Sequence, residues 1–283
     1  MPTVDVATYL SPYKQVPATV PGWADGREAT WPATTATLLS CGGSAVLVDA
    51  LMTLAEGQLL AEWIGATGLE LTTVYVTHAH ADHFFGATSL LRRIPTAQLV
   101  SRPEIARSAA EQTAAGYLRV WSGFFPGQIA EHPVAPAAWD GDELPVGAGS
   151  VRVVPVGWSD VEASSVVHVG ERETVIAGDV AYNGMHMWLA GSTPQTRTGW
   201  LASLDAIERL APRIVIAGHR NPEAPDDDAA RILDESRRYV QDFGEAAASS
   251  GGPEELIQTM LARHGDLGNP YTLWVAAHSQ FPA

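Results

Sequence analysis

The chain has 283 residues, 46% of them apolar, enough for a sizeable core in one large domain or two small ones. Seventeen basic residues against 32 acidic ones give a formal charge of -15, which disfavours nucleic acid and anionic membranes as partners. Lys14 is the only lysine and Cys41 the only cysteine, which excludes lysine-based Schiff-base chemistry in a core or site, an internal disulfide and a cysteine-rich metal knuckle.

In chain order, Met1 to Asp5 shows neither a basic leader nor a long apolar stretch, and no run elsewhere approaches the roughly 18 apolar residues of a membrane span, so a cytoplasmic protein is expected. Residues 1–33 are rich in Pro, Gly and Trp (Pro12, Pro17, Pro21, Gly22, Trp23, Trp31, Pro32) and read as an irregular lead-in, a candidate cover for a site. Thr34 to Ser40 and Ser44 to Ala50 read as two strands joined by a hairpin turn at Gly42-Gly43, with Cys41 as a structural thiol at the strand end. Asp49 closes the second strand. Leu54 to Ala66 has helical apolar spacing, and Leu71 to Thr77 is a β-branched strand.

That strand runs into His78-Ala79-His80-Ala81-Asp82-His83, three histidines and an aspartate within six positions. A core has no use for such a composition, whereas imidazole and carboxylate are what zinc and similar cations take as ligands. On an extended segment His78 and His80 share one side, and the Asp82-His83 pair points elsewhere, so one loop can serve two metal positions.

Phe84 to Arg93 then reads as a helix, Gln98 to Val100 as a short strand, and Pro103 to about Phe125 as one helix with Pro103 in its first turn. Its aromatic end, Leu118 to Gly127, suits either core packing or an apolar wall over a site. Period-2 strands return at Val151 to Val156, Ser164 to Val169 and Glu173 to Ala177, the last leading through Gly178 into Asp179. A helix from Gly199 to Leu210 and a strand from Arg213 to Ala217 follow, and that strand ends in Gly218-His219. The two halves rhyme as strand, helix and strand ending in a candidate ligand, which supports one sandwich domain over residues 1–283. Asp226 to about Gly244 and Pro253 to Arg263 read as closing helices. Residues 245–283 form a C-terminal extension, with Tyr271 to Phe281 returning to the core or to a partner.

The His-x-His-x-Asp-His motif after an apolar strand, with matching features from about Thr34 to about Phe243, resembles the metallo-β-lactamase fold superfamily. The resemblance implies an α/β fold, a four-layer αββα sandwich with a one- or two-metal site at one edge, used mostly for hydrolysis. It assigns His78 and His80 to a first metal position, Asp82, His83 and His219 to a second, and Asp179 between them. It also places Asp49 just behind the metals, although a plain turn aspartate reads equally well. The glycines before Asp179 and His219 agree with a close approach to an ion.

One departure stands out. The loop that normally brings a third histidine to the first position reads Gly157-Trp158-Ser159-Asp160, with Trp158 in the histidine's place, and indole cannot ligate zinc. The first position is therefore expected to be weak, with Trp158 as an apolar wall and Asp160 as a possible helper. His186 and Tyr182, close behind Asp179, are candidates to touch substrate. His168 reads as part of a sheet face, and His132, His264 and His278 as solvated or structural.

The reading that follows is a metal-dependent hydrolase of a small carbonyl substrate (ester, lactone, thioester or amide). Zinc, as one or two ions, would make bound water acidic at about pH 7, and Asp82 would orient that water or move its proton. Iron or manganese are the alternative metals, and a single-metal lyase, cyclase or oxygen-using enzyme, or a binding protein without turnover, the alternative functions. A β-lactam is disfavoured because Tyr182 to Thr196 contains no Lys or Arg to hold its carboxylate. The expected partner is a small molecule only, with a homodimer among the options for assembly.

Overall fold

The computed structural model describes residues 3–16, 23 and 28–282, so Pro17, Pro21 and Gly22 of the lead-in lie outside the described residues. The first half of the chain runs β1 (Asp5–Leu10), β2 (Lys14–Gln15), β3 (Thr30–Trp31), β4 (Thr35–Cys41), β5 (Ser44–Val48), α1 (Leu54–Thr67), β6 (Glu70–Tyr75), α2 (Ala81–Phe84), α3 (Ala87–Arg93), β7 (Gln98–Ser101), α4 (Pro103–Gln112), α5 (Ala115–Phe124) and β8 (Ala137–Ala138). The second half runs β9 (Glu143–Val146), β10 (Gly149–Gly157), β11 (Ser164–Val169), β12 (Thr174–Asn183), α6 (Pro194–Glu208), β13 (Ile214–Arg220), α7 (Ala229–Ser249), α8 (Pro253–His264) and α9 (Pro270–Gln280). One sheet has the order β1-β4-β5-β6-β7-β8, the other β13-β12-β11-β10-β9, and β2 pairs with β3.

The central strands of the sheets, β4, β5, β11 and β12, are buried on both faces, which is why they read as nearly continuous apolar runs. In β5, Val46 and Val48 enter the layer between the sheets, while Ala45 and Leu47 face the layer filled by α1 and α3. In β12, Ile176 faces between the sheets, and Val175 and Ala177 face Trp200 and Leu204 of α6 and Val240 and Phe243 of α7. The result is the expected αββα sandwich. The last helices belong to it, since Leu256, Met260, Leu273 and Ala276 are buried in the α6–α7 layer. Among the described residues no helix is long and apolar enough to cross a membrane.

Local chemistry fixes the elements nearest the site. The β4–β5 turn needs Gly42 at φ 64°. At the start of α1, Thr53 Oγ1 accepts from the Glu56 amide at 3.1 Å and Glu56 Oε2 accepts from the Thr53 amide at 2.8 Å, a capping box. The same Glu56 pairs with Lys14 Nζ at 2.9 Å, both side chains nearly buried. Burial would raise the Glu56 carboxyl, but the Lys14 ammonium beside it holds it low. This pair anchors the β2–β3 ribbon, in which Lys14 stands opposite Trp31.

Three expectations are corrected. The lead-in is not wholly irregular: β1 pairs antiparallel with β4 over Asp5 to Leu10. Its own burial is slight, so an edge strand of this kind is specified by its partner more than by its pattern. The expected helix from Pro103 to Phe125 is two helices, because Ala114 takes extended angles (φ -71°, ψ 152°) and the Thr113 hydroxyl donates to the Ala110 carbonyl at 2.7 Å, competing with helix propagation. His186 does not approach a substrate cavity. Past β12 the chain turns at Gly184 (φ 69°) towards the second core, where His186 Nδ1 lies 3.0 Å from the Tyr239 hydroxyl and the His186 amide donates to the Gly268 carbonyl at 3.0 Å.

Burial, with His264 nearby, pushes the His186 imidazole down to about 3, so the folded chain keeps it neutral where the unfolded chain takes up a proton. Its contribution to stability is present above pH 6.5 and is lost as pH falls from 6.5 towards 3. His186→Gln keeps a partner for Tyr239 and removes the titration. Between pH 7 and 5 the variant is expected to lose about 2 kcal/mol less stability than the parent, as read from urea midpoints. Equal losses would show that His186 is not held neutral.

Candidate metal centre

The site lies where the ends of β5, β6, β12 and β13 meet. Beyond β6, His78 forms a bridge with Ser164 of the second sheet, and the Ser165 amide donates to the Thr77 carbonyl at 2.9 Å, so the motif is pinned between the sheets. His80 is the last extended residue (φ -100°, ψ 143°) before α2 begins at Ala81. That change of direction separates His78 and His80 from Asp82 and His83. Two clusters result: His78, His80, Asp160 and Asp179 in one, and Asp82, His83 and His219 in the other.

Asp49 orients the imidazoles from behind. It sits at φ 60°, a left-handed conformation aspartate tolerates better than most residues, and it is buried. Its Oδ1 accepts from the Thr77 amide at 2.9 Å, and its Oδ2 accepts from the Thr77 hydroxyl and from His83 Nδ1, each at 2.8 Å. With its proton spent on Asp49, the Thr77 hydroxyl is left to accept from His78 Nδ1 at 3.0 Å. His219 Nδ1 donates to the Ala33 carbonyl at 3.0 Å. In each case the proton sits on Nδ1 and the Nε2 lone pair faces the clusters.

Asp179 stands between the clusters. Its Oδ1 lies 3.1 Å from His83 Nε2, and its Oδ2 lies 3.2 Å from His219 Nε2 and 3.7 Å from His78 Nε2. The rings of His83 and His219 are 5.3 Å apart. Glycines make this possible: a Cβ on Gly218 would come within 2.3 Å of Asp179 Oδ1, and one on Gly178, at φ 50°, within 2.6 Å of Thr77 Oγ1.

The Trp158 loop differs from expectation. Gly157 turns at φ 97° and sends the Trp158 indole towards α6, where a Cβ on Gly199 would come within 2.6 Å of Trp158 Cδ1. Trp158 therefore does not wall the site, and the position the sequence left weak is filled by Asp160. The Asp160 carboxylate is buried, with Oδ2 2.5 Å from His80 Nδ1 and Oδ1 3.9 Å from His78 Nε2. The Ser159 hydroxyl steadies it, donating to Asp160 Oδ1 at 2.7 Å. Tyr182 is also placed differently: it is buried behind the centre, and its hydroxyl donates to Asp179 Oδ2 at 2.8 Å. His168 lies on β11, His264 Nε2 pairs with Asp242 at 2.8 Å, and His278 Nδ1 donates to the Trp274 carbonyl at 2.9 Å, all away from the clusters.

Sequence reasoning undervalued Trp31. Its indole N–H donates to Asp82 Oδ2 at 2.8 Å, and its ring packs 5.1 Å from that of Trp188 and 5.3 Å from that of Trp121. Among the described lead-in residues Trp31 and Pro32 line the cavity over the centre, and no periodicity could have singled out Trp31. The aromatic end of the second helix of the α4–α5 pair does both things that were left open: Phe125 is core, while Trp121 and Phe124 join Trp31 in lining a cavity of about 310 Å³ whose floor includes His80, Asp82, Asp160, Asp179 and His219.

The donor set suits a divalent cation. Among the described residues eight buried side-chain polar atoms make no well-aligned hydrogen bond, and four of them, His78 Nε2, His83 Nε2, Asp160 Oδ2 and Asp179 Oδ1, belong to this centre, although Asp160 Oδ2 lies close to His80 Nδ1 and Asp179 Oδ1 to His83 Nε2. Orphaned buried atoms are rare, and four facing one another call for a shared partner such as an ion. The charges agree. Burial would raise the Asp82 and Asp179 carboxyls, yet His83 and His219 hold Asp82, and His219, His83 and His78 hold Asp179, well below the usual range. Burial would lower the His219 imidazole, but Asp179 and Asp82 push it up to about 9.

A family model described as the metallo-beta-lactamase superfamily matches residues 29–219. No curated protein matches the chain in sequence. Among solved structures, a metallo-β-lactamase family protein from Thermus thermophilus is 20% identical, with a TM-score of 0.65 over 97% of this chain and 92% of its own. A metallo-β-lactamase from Pontibacter korlensis is 17% identical, with a TM-score of 0.60 over 85% of this chain and 100% of its own. The metallo-β-lactamase FIM-1 from Pseudomonas aeruginosa, in its mono-zinc form, is 16% identical, with a TM-score of 0.58 over 83% of this chain and 91% of its own. At these identities the likeness is one of fold.

Two outcomes are expected from this geometry. Asp160→Ala should lower metal content by about one ion per chain, while Trp158→His should leave it unchanged because that side chain faces α6, as measured by elemental analysis. Because His219 is raised, its charge stabilises the metal-free fold fully below about pH 6.5, and that contribution is lost as pH rises through about 9. A cation must displace the same proton, so zinc affinity of chelator-stripped protein should tighten by up to about tenfold per pH unit from 7 to 9. A competing chelator at pH 7, 8 and 9 reads this directly, and a pH-independent affinity would contradict it.

Proposed function

This chain belongs to the metallo-β-lactamase superfamily, and from that premise we propose that it is a metal-dependent hydrolase of a small carbonyl compound: an ester, lactone, thioester or amide. The observation that carries this reading is the convergence of four histidines and three aspartates in two clusters, five of them, His80, Asp82, Asp160, Asp179 and His219, at the floor of an aromatic cavity. His78, His80 and Asp160 would hold one ion, Asp82, His83 and His219 a second, and Asp179 would serve both. Zinc suits these imidazole and carboxylate donors, and a bound divalent ion supplies Lewis acidity that makes water acidic near neutral pH and polarises a carbonyl oxygen.

The chain's own residues do the rest. Asp82 lines the cavity and is held by the Trp31 N–H, so its carboxylate is oriented to position the attacking water and to take its proton. The water oxygen bonds to the carbonyl carbon, the bond from that carbon to O, S or N breaks, and the proton passes to the leaving group. Asp49 and Thr77 keep the imidazoles in one tautomer throughout, and Tyr182 keeps Asp179 from rotating. The aromatic walls exclude bulk water, which strengthens each of these polar contacts.

A second reading rests on Asp160. With it, the first cluster offers two imidazoles and two carboxylates, Asp160 and Asp179, a set that also suits iron in a single-metal, oxygen-using enzyme. Elemental analysis separates the two: zinc supports hydrolysis, while iron with visible colour supports the alternative.

Asp82→Ala and His219→Ala are each expected to lose metal and to lower hydrolysis of the best substrate from an ester, lactone, thioester and amide panel by about 100-fold or more. Far-ultraviolet circular dichroism should stay near the parent's, because the sandwich cores lie away from the centre. If either variant keeps full metal and full turnover, the assignment fails.

A further inference from the structure

The cavity over the centre has a chemistry of its own. Beyond the candidate ligands its walls are aromatic and branched apolar side chains, with Gln112 as the neutral polar exception apart from the phenol of Tyr117. Among the described residues neither lysine nor arginine lines it. The Gln112 carbonyl is already engaged, accepting from Trp121 Nε1 at 3.2 Å. A substrate carboxylate entering here would give up water and meet no basic side chain among the described residues in return.

The centre adds a second argument. Asp160 stands where the family's loop would supply a neutral imidazole, so the ligand set contains three carboxylates, Asp82, Asp160 and Asp179. Against two dications, three carboxylates leave a single net positive charge, one less than a histidine in that place would leave. The attraction of the centre itself for an anion is correspondingly reduced.

Size and exposure supply the third. A cavity of about 150 Å³ lined by apolar side chains holds a benzene ring, and this one is about 310 Å³. At its mouth, Tyr117 and Val120 are 50% and 53% exposed, the most exposed large apolar side chains among the described residues. Both lie on α5 beside Trp121 and Phe124, so an apolar ligand would cover surface that is otherwise left to water.

We infer that the cavity selects an uncharged carbonyl substrate bearing an aromatic or branched apolar group of about one ring plus a short chain, and that it selects against carboxylate-bearing substrates. The inference rests on the hydrolase reading for its carbonyl, and on the cavity walls and Asp160 for its charge preference. Trp31 links the two, since the indole that forms the wall also donates to Asp82, so a ring seated on the wall sits beside the carboxylate that positions water.

Isothermal titration of the full-length, metal-loaded protein with 4-phenylbutyramide and 4-phenylbutyrate tests this, because the two probes share shape and differ in charge. The amide is expected to bind at least about tenfold more tightly, the carboxylate being desolvated without a partner. Trp121→Ala should weaken the amide by about tenfold with metal content unchanged. Val120→Lys, a substitution at an exposed position that does not burden the fold, should tighten the carboxylate at least about threefold and weaken the amide, so that the preference for the amide narrows. A carboxylate that binds as well as the amide, or a Val120→Lys protein with an unchanged preference, would overturn the inference. Matched phenyl acetate and 4-carboxyphenyl acetate then separate it from the hydrolase reading. Tighter amide binding without turnover of any ester, lactone, thioester or amide of the panel sinks the hydrolase reading and leaves the charge preference standing, whereas faster turnover of the carboxylated ester sinks the charge preference alone.

Discussion

The arrangement of the centre depends on one buried carboxylate. Asp49 accepts from the Thr77 amide, the Thr77 hydroxyl and His83 Nδ1, and through Thr77 it also sets the tautomer of His78. A buried carboxylate is tolerable only when donors replace its water, and three charge-assisted bonds of roughly 1.5–3 kcal/mol each do so here. In return the end of β5 is tied to the end of β6, and two imidazoles from one loop are aimed in fixed directions. Its left-handed backbone is the local strain that this convergence requires.

The two sheets meet at this point, and the meeting leaves little room. Thr77 receives Gly178 from the opposite sheet and Gly218 passes over Asp179, each at distances no side chain could fit. The apolar layer between the sheets, with Val46, Val48, Val167 and Ile176 at its centre, presses the strand ends together. Hydrophobic packing is non-directional and could not select a geometry for the ligands. It supplies the force, and the hydrogen bonds behind the imidazoles supply the direction. The same division explains why the centre gathers four histidines and three aspartates in a nearly dry setting: each imidazole faces a carboxylate, and the orphaned lone pairs converge where a cation would stand.

Two features mark this centre. One is a carboxylate, Asp160, beside His78 and His80 in the first cluster. The other is an aromatic cover assembled from three separate parts of the chain: Trp31 from the β2–β3 ribbon, Trp121 and Phe124 from α5, and Trp188 from the segment after β12. The Lys14–Glu56 pair holds the ribbon in place, so the one lysine of the chain acts at a distance on the wall of the cavity.

Much of this was legible in the sequence. The hairpin turn between β4 and β5, the period-2 runs of β10, β11 and β12, the helical apolar spacing of α1 and the glycines before Asp179 and His219 are local signals, and each carries its meaning in a few neighbouring residues. The motif from His78 to His83 is of the same kind, because its composition has no use except as a set of ligands. What the sequence could not decide depended on direction and on partners far along the chain. Whether Trp158 or Asp160 enters the centre is settled by the φ of Gly157 and by the space beside Gly199, on a helix two strands further along the chain. His186 and Tyr182 follow Asp179 closely, yet one turns into the second core against Tyr239 and the other supports Asp179 from behind. Strand β1 has too little burial of its own to announce itself and exists because β4 offers it an edge. Residue types and short-range spacing are written in the chain itself, whereas the facing of a side chain is set by what packs against it, and only the tertiary structure contains that.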